Sequence, residues 1–307
     1  MNRLAVGIDI GGTNTVFGLT NRKGEILFEE SIRTKDFANA EELIQTIYDL
    51  IPSNHKTSIV GVGIGAPNGN YFTGTIDFAP NLPWSGVIPL KHISEKIFNI
   101  STTITNDANA AAIGEMVYGN AKDLKEFITI TLGTGLGSGI IVDGKIVYGH
   151  DGFAGELGHF RVTPNGRTCN CGRKGCLETY ASSTGVVRSI HELNSSNKAY
   201  SKIHKVTSPQ AKDVFHLAEN GDLFCLEIID YTAEILGNAL AEFTTFSSPK
   251  AFILFGGIAQ SGEFFRKKVN AVMEKGMLSI YQNTVEVRIS TLHDKNAAVL
   301  GASSLVW

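Results

Sequence analysis

Cysteine is scarce. The 307-residue chain holds four, and three of them fall between positions 169 and 176. That distribution excludes a secreted disulfide framework. Excess positive charge is also missing. Lys and Arg number 27 against 30 Asp and Glu, the net charge is −3, and no basic run or stripe appears. Nothing therefore points to a nucleic-acid backbone as partner. No apolar run approaches the roughly 18 residues of a membrane span, so no membrane partner is expected. The opening MNRLAVGIDIGG is too short and too glycine-rich for a secretory signal. A soluble, cytoplasmic protein is the expectation. Two nucleotide motifs are absent as well. No stretch satisfies G-x-G-x-x-G. Gly139 to Lys145 approaches a P-loop, but Ile146 stands where Ser or Thr should meet magnesium, and Asp143-Gly144 reads as a hairpin turn.

Glycine, by contrast, is plentiful at 33 residues. The glycines gather in IDIGGTN, VGVGIGAPNGN, TLGTGLGSGI, NCGRKGC and LFGGIAQSG. Gly-rich turns after apolar strands let backbone approach phosphate. Hydrophobic residues make up 43% of the chain, ample for a core, and the length suggests about two domains.

Apolar patterning predicts strands at 4–10, 15–21 and 24–33, a helix at 40–51, a strand at 59–67, a helix at 88–98, a strand at 101–107 and a helix at 108–119. At 126 the layout restarts, with strand, glycine turn, strand, Asp143-Gly144 turn and strand. This echo of residues 3–28 puts a domain boundary near 120. Helices are expected after the cysteines, notably over 182–194 and 221–246, then a strand at 251–257, a helix at 264–276, a strand at 285–290 and a final alanine-rich helix. Strands alternating with helices suggest two α/β lobes with a cleft between.

Asp9, Gly11, Gly12 and Thr13 form the first candidate nucleotide loop. Bare amides line a phosphate, Thr13 donates to it, and Asp9 holds water on Mg²⁺. An ordinary tight hairpin would look the same. A matching loop at Gly133, Thr134, Gly135 and Gly137 favours the nucleotide reading.

His159, Cys169, Cys171 and Cys176 supply one nitrogen and three sulfurs, a set suited to tetrahedral Zn²⁺, and Gly172 and Gly175 allow tight wrapping. Four protein ligands close the site, so the zinc is expected to be structural. Cys225, alone in a helix, reads as a small core residue. The clamp would fix Glu156, His159 and Glu178, and each carboxylate could accept from two neighbouring hydroxyls of a polyhydroxyl substrate. Solvated acids or helix caps are the competing reading for the two glutamates.

Asp107 stands where a strand meets a helix. It reads as an N-cap or as the base of a phosphoryl transfer, two roles that can coexist, and such a base need not be strong because the transition state is loose. Asn106 could orient the same hydroxyl.

Taken together, IDIGGT, NDANAAAIGE, TLGTGLGSGI, GELGH, CNCGRKGCLE, FGG and NAAVLGA resemble the ROK family (repressors, open reading frames, kinases) of the actin-like ATPase superfamily. The run GELGH followed by CxCGxxGCLE is the most specific part. The resemblance implies an α/β fold of two actin-like, ribonuclease H-like lobes with an interlobe cleft. The lobes would be residues 1–119, joined by a C-terminal helix at 294–307, and residues 120–293, with a zinc loop at 159–178. It implies that Asp107 is the catalytic base and that Asn81, Asn106, Glu156, His159 and Glu178 bind the sugar. His159 would place one ring nitrogen on zinc and the other on the sugar. Gly12, Thr13, Thr134, Gly135 and Gly257 would hold nucleotide. Many such proteins are homodimers and some are tetramers.

The function implied is an ATP- and Mg²⁺-dependent hexokinase. The stretch GAPNGNYFTGTIDFAPNLPW resembles the glucokinases of the family, which favours glucose and a glucose 6-phosphate product. An N-acetylmannosamine or N-acetylglucosamine kinase is an alternative, with Ala66 and the loop Asn68–Tyr71 lining an acetamido pocket. A non-catalytic sugar-sensing regulator is another. A zinc hydrolase is disfavoured by the closed ligand set. A repressor's N-terminal helix-turn-helix would precede the first strand, and Asp9 arrives too early for one.

Overall fold

A computed structural model describes residues 3–292 and 294–307. Met1, Asn2 and His293, at the ends of the ranges expected for the lobes, lie outside the described residues. The chain divides into two compact units. One contains Met1–Lys125, Gly139–Gly155 and Thr291–Trp307, and the other contains Glu126–Ser138 and Glu156–Ser290.

In the first unit, β1 (Leu4–Ile10), β2 (Asn14–Asn21) and β3 (Ile26–Arg33) form an antiparallel meander. After α1 (Ala40–Leu50) and the single turn α2 (Ser53–Lys56), β4 (Ile59–Ala66) pairs parallel to β1. A small sheet of β5 (Gly69–Asn70), β6 (Thr75–Asp77) and β7 (Val87–Ile88) follows. Helix α3 (Leu90–Phe98), strand β8 (Thr102–Asn106) and helix α4 (Asp107–Val117) complete the run. The main sheet has the order β3-β2-β1-β4-β8.

Local chemistry sets these boundaries. Helix α1 starts at Asn39, whose side chain accepts the amide of Glu42, while Glu42 accepts the amide of Ala38. The first bond satisfies one amide that a helix start leaves open, and the second ties the residue before the cap to the first turn. The helix expected from residue 88 begins at Leu90 instead. Pro89 disfavours helical backbone at the residue before it, and Ile88 is extended and paired with Ile76 of β6.

The remaining elements are β9 (Phe127–Leu132), β10 (Leu136–Val142), β11 (Lys145–Ile146), α5 (Ser183–Glu192), α6 (Ala211–Glu219) and α7 (Leu223–Ser247). Then come β12 (Ala251–Phe255), α8 (Glu263–Gly276), β13 (Glu286–Ile289) and α9 (Asp294–Ser304). The second sheet runs β11-β10-β9-β12-β13, the same third-second-first-fourth-fifth order as the first, and the chain passes from one unit to the other within β10.

Val6, Ile8, Ile10, Leu43, Ile44, Ile47, Val62, Ile64 and Ile104 build the buried core of the first unit. Helices α9 and α4 pack on β4, and α9 also reaches β1 and β2. Gly18, Gly7 and Gly63 stand in register across β2, β1 and β4. A Cβ on Gly7 would lie 2.2 Å from the Val299 carbonyl oxygen, and one on Gly63 would lie 1.9 Å from that of Ala302. Side chains there would push α9 off the sheet. The glycines of VGIDI and VGVGIG thus serve close helix packing, a role distinct from phosphate approach.

Candidate active site

In the first unit, parallel pairing aligns Asp9 of β1 with Gly65 of β4, and Gly65 with Thr105 of β8. Chain continuity then brings Asn106 and Asp107 to the same edge of the sheet. A Cβ on Gly65 would sit 3.4 Å from Asp9 Oδ1 and 3.5 Å from the Asp107 Cα, so the two acids flank one glycine.

Asn106, not Asp107, is the N-cap of α4. Its side chain accepts the Ala108 amide at 2.9 Å, and Asp107 is the first helical residue. One oxygen of Asp107 also accepts that amide, at 2.8 Å, yet the residue remains exposed to solvent. The carboxylate therefore has a path to a ligand. Burial pushes its pKa up, opposed by the backbone hydrogen bonds. Exposure and desolvation coexist because water touches one side while protein fills most of the surrounding volume. Burial, with the Asp107 charge second, raises Asp9 to about 7.

The turn after β1 is a hairpin, and it is tied down from outside. The Thr34 hydroxyl donates to the Gly11 carbonyl at 2.6 Å, and the Thr34 amide donates to Thr13 at 3.0 Å. A Cβ on Gly12 would meet the Asn81 carbonyl oxygen at 2.4 Å, so the loop holding exposed Asn81 lies against Gly12, next in sequence to exposed Thr13. Asp9, Gly12, Thr13, Asn81, Asn106 and Asp107 thus all belong to one unit.

The second unit carries the other candidates. His159, Cys169, Cys171 and Cys176 bring one ligand atom each to within 4.8 Å of one another. His159 Nδ1 is 3.6 Å from Cys169 Sγ, and the sulfurs of Cys171 and Cys176 are 3.7 Å apart. A tetrahedron with Zn–S of about 2.3 Å and Zn–N of about 2.0–2.1 Å has edges of about 3.5–3.8 Å, so these spacings fit that metal. The loop achieves them by bonding Cys169 N–H to the Arg173 carbonyl and Gly172 N–H to the Cys169 carbonyl. Gly172 and Gly175 both have positive φ, and a Cβ on Gly175 would strike the Thr163 carbonyl at 1.8 Å.

Because Nδ1 of His159 faces the sulfurs, its Nε2 is the nitrogen left for another partner. Glu178 sits on a short 3₁₀ turn directly after Cys176, with Oε1 accepting from the Cys169 thiol at 2.9 Å. A Cβ on Gly135 would meet its Oε2 at 2.8 Å, so this carboxylate lies between the cysteine loop and the Gly133–Gly135 turn. Exposed Glu156 precedes the 3₁₀ turn Leu157–His159 and makes no capping bond to it.

Thr134 and Gly257 line a single cavity of about 690 Å³, shared with Ser183, Arg188, Gln210 and Phe215. Exposed Gly135 adjoins Thr134, and Cβ positions on Gly133 and Gly257 would meet nothing within 4 Å. These turns therefore present open backbone. Helix α5 anchors the first of them: the Ser183 amide donates to Gly133 O and the Thr184 hydroxyl to Thr134 O, both at 2.8 Å. The cavity wall from α6 was not anticipated from sequence. Its signal was the box of Gln210 and Asp213, where each side chain meets the other's backbone amide.

Among the described residues, no helix is long and apolar enough to cross a membrane.

The sequence model of the ROK family matches residues 5–307. A glucokinase of Halalkalibacterium halodurans is 36% identical, over 99% of this chain and 95% of its own. A xylose repressor of Caldicellulosiruptor bescii is 32% identical over 98% of this chain and 77% of its own. Among solved structures, a ROK family glucokinase from Streptomyces griseus in complex with glucose and AMPPNP superposes with a TM-score of 0.82. It is 32% identical, and 98% of each chain is covered.

Proposed function

Since the chain belongs to the ROK family, we propose that it is an ATP-dependent hexose kinase, with glucose the favoured sugar and glucose 6-phosphate the product. The observation that carries the reading is Asp107, a solvent-accessible carboxylate at the start of α4 with Asp9 as neighbour. The relatives that carry the name glucokinase, and the Streptomyces griseus enzyme crystallised with glucose and AMPPNP, support the choice of substrates.

In this reading Asp107 accepts the proton of the attacking sugar hydroxyl. Burial raises its carboxyl, which makes it a better proton acceptor than a free aspartate. A strong base is unnecessary, because the transferring group is metaphosphate-like and the proton leaves late. Asn106 keeps its Oδ1 on the Ala108 amide and would offer its NH₂ to the sugar. Asn81, Glu156, the Nε2 of His159 and Glu178 take the remaining sugar hydroxyls, each carboxylate as acceptor for a neighbouring pair.

For the nucleotide, the cavity beside Thr134 and Gly257 takes the nucleoside, and Gly135 offers its amide to phosphate. Gly11, Gly12 and Thr13 offer amides and a hydroxyl to phosphate. Asp9 holds water on Mg²⁺. The His159, Cys169, Cys171 and Cys176 set holds a structural Zn²⁺, which fixes His159 and Glu178 without entering the chemistry. We further propose that the enzyme is a cytoplasmic homodimer or tetramer.

The loop after β4 is the candidate element for telling glucose from its acetamido analogues. Asn68 donates to the Asp77 carbonyl at 2.9 Å, and Asn70 accepts the amides of Phe72 and Thr73 while donating to Asp151 O at 2.8 Å. A loop tied this closely discriminates substituents by fixed shape. Turnover measured across glucose, mannose, N-acetylmannosamine and N-acetylglucosamine with coupled ADP detection tests the assignment. Absence of turnover on every sugar would remove it, and the repressor relatives would then favour a sugar-sensing role.

A further inference from the structure

Two arginines and one glutamate join the cysteine loop to the wall of the nucleoside cavity. Arg167, two residues before Cys169, is almost fully buried and lies 4.5 Å from the centre of the Tyr180 ring. Its Nε donates to Glu192 Oε2 at 2.7 Å, and its other nitrogens donate to Thr179 O, Gly185 O and Ser189 Oγ. Arg188 takes the opposite oxygen, Glu192 Oε1, through its own Nε, and donates from Nη1 to the Thr168 carbonyl at 3.0 Å. Arg188 also lines the cavity shared by Thr134 and Gly257.

Burial works to raise the Glu192 carboxyl, but the hydrogen bonds and charges of Arg188 and Arg167 outweigh it and hold the carboxyl low. The glutamate is thus an ionised bridge with one arginine on each oxygen. Thr168 and Arg167 immediately precede the ligand Cys169, so the place of the Arg188 guanidinium depends on how the cysteine loop is folded.

We propose that Arg188 is a binding surface for the nucleoside, and that the metal loop holds it in place through Glu192 and Thr168. A planar guanidinium fixed at two edges presents a flat face, against which a purine or its ribose packs at low entropic cost. The metal loop therefore serves the nucleotide as well as the candidate sugar ligands beside it. This inference rests on the proposed use of ATP.

The test measures ADP binding by calorimetry on the full chain, before and after a zinc-selective chelator, with magnesium restored. In the unmodified protein, removal of the metal is expected to weaken ADP about fivefold, the size of a single guanidinium–ring contact. Arg188→Met should weaken ADP by the same factor, leave glucose affinity unchanged and abolish the further effect of chelation. Arg188→Lys should behave likewise, because an ammonium lacks the planar fork that meets Glu192 and Thr168 together. Glu192→Gln should move in the same direction by less. Metal content and melting temperature identify any variant that fails to fold, and Glu192→Gln then carries the test. ADP binding unaltered by Arg188→Met, or a loss that multiplies in full with that of chelation, would overturn the inference. A chain that binds ADP with this pattern yet phosphorylates no hexose would leave it standing while removing the kinase assignment.

Discussion

The two five-stranded sheets share one strand order but differ at matching positions. In the first, Gly7 is paired with Gly63, and Asp9 with Gly65. In the second, Thr129 is paired with Ile253, and Thr131 with Phe255. The first sheet is bare where the second carries side chains, and it ends in an acid where the second ends in a hydroxyl. The first strand holds its carboxyl in a partly buried place beside Asp107, at a raised pKa. The second is closed on itself, because Thr131 Oγ1 accepts the Gly137 amide at 3.0 Å. One strand order thus serves two different strand ends, a carboxyl at Asp9 in the first sheet and a self-bonded hydroxyl at Thr131 in the second.

The largest expected effect tests where the reaction chemistry resides. Asp107→Asn should lower kcat by about 10³ while sugar affinity stays near its original value, since a positioned base commonly contributes 10²–10⁴. A loss of sugar binding equal to the loss of rate would assign Asp107 to recognition instead. Next is the bare face of the first sheet. Gly63→Val puts side-chain atoms into the backbone of α9 and should destabilise the fold by about 3 kcal/mol or more. Ile253→Val, at the matching place in the second sheet, should cost about 1 kcal/mol. Denaturant midpoints measure both, and equal losses would break the comparison.

The two turns can be contrasted directly. Asp9→Asn should raise the magnesium needed for half-maximal rate by about 10- to 100-fold, as loss of an outer-sphere metal partner does. Thr131→Val should leave that requirement alone and cost about 1 kcal/mol of stability. A shared shift in magnesium dependence would dissolve the division. The smallest effect is a pH slope. The raised carboxyl of Asp9 stays protonated in the folded state up to about pH 7, whereas the unfolded chain loses that proton near about pH 3.9. Between these values the native state binds more protons, so the ligand-free protein should lose stability as pH rises. Asp9→Asn should flatten that slope in melting temperatures recorded across the window, while Thr131→Val should not.

Much of this was legible in the residues, for identifiable reasons. Strands such as LAVGIDI and AFILF are buried runs bounded by glycine, and period and punctuation suffice to find them. The cysteine cluster is local, so its spacing carried the ligand set. Other features had no local signal. The row Gly18, Gly7 and Gly63 exists only through strand pairing, and its purpose, α9, lies at the far end of the chain. Strands β5 and β7 are two residues each, too short for any period to register. Arg167 and Arg188 carry no local motif, and only the fold shows their shared partner Glu192. An aspartate between strand and helix carries the same local signal as a cap or as a base, and only the structure shows that Asn106 takes the N-cap position while Asp107 also accepts the Ala108 amide.

The seating of α9 on the glycine row also governs the order in which the protein can be made. During translation β1, β2 and β4 emerge before the second unit, but the helix that shields one face of them follows it. Until then that glycine-lined surface is unprotected, and its maturation must wait while the second unit is being assembled. A nascent chain stalled before residue 291 would therefore hold a complete second unit and an unfinished first one, a natural substrate for chaperones.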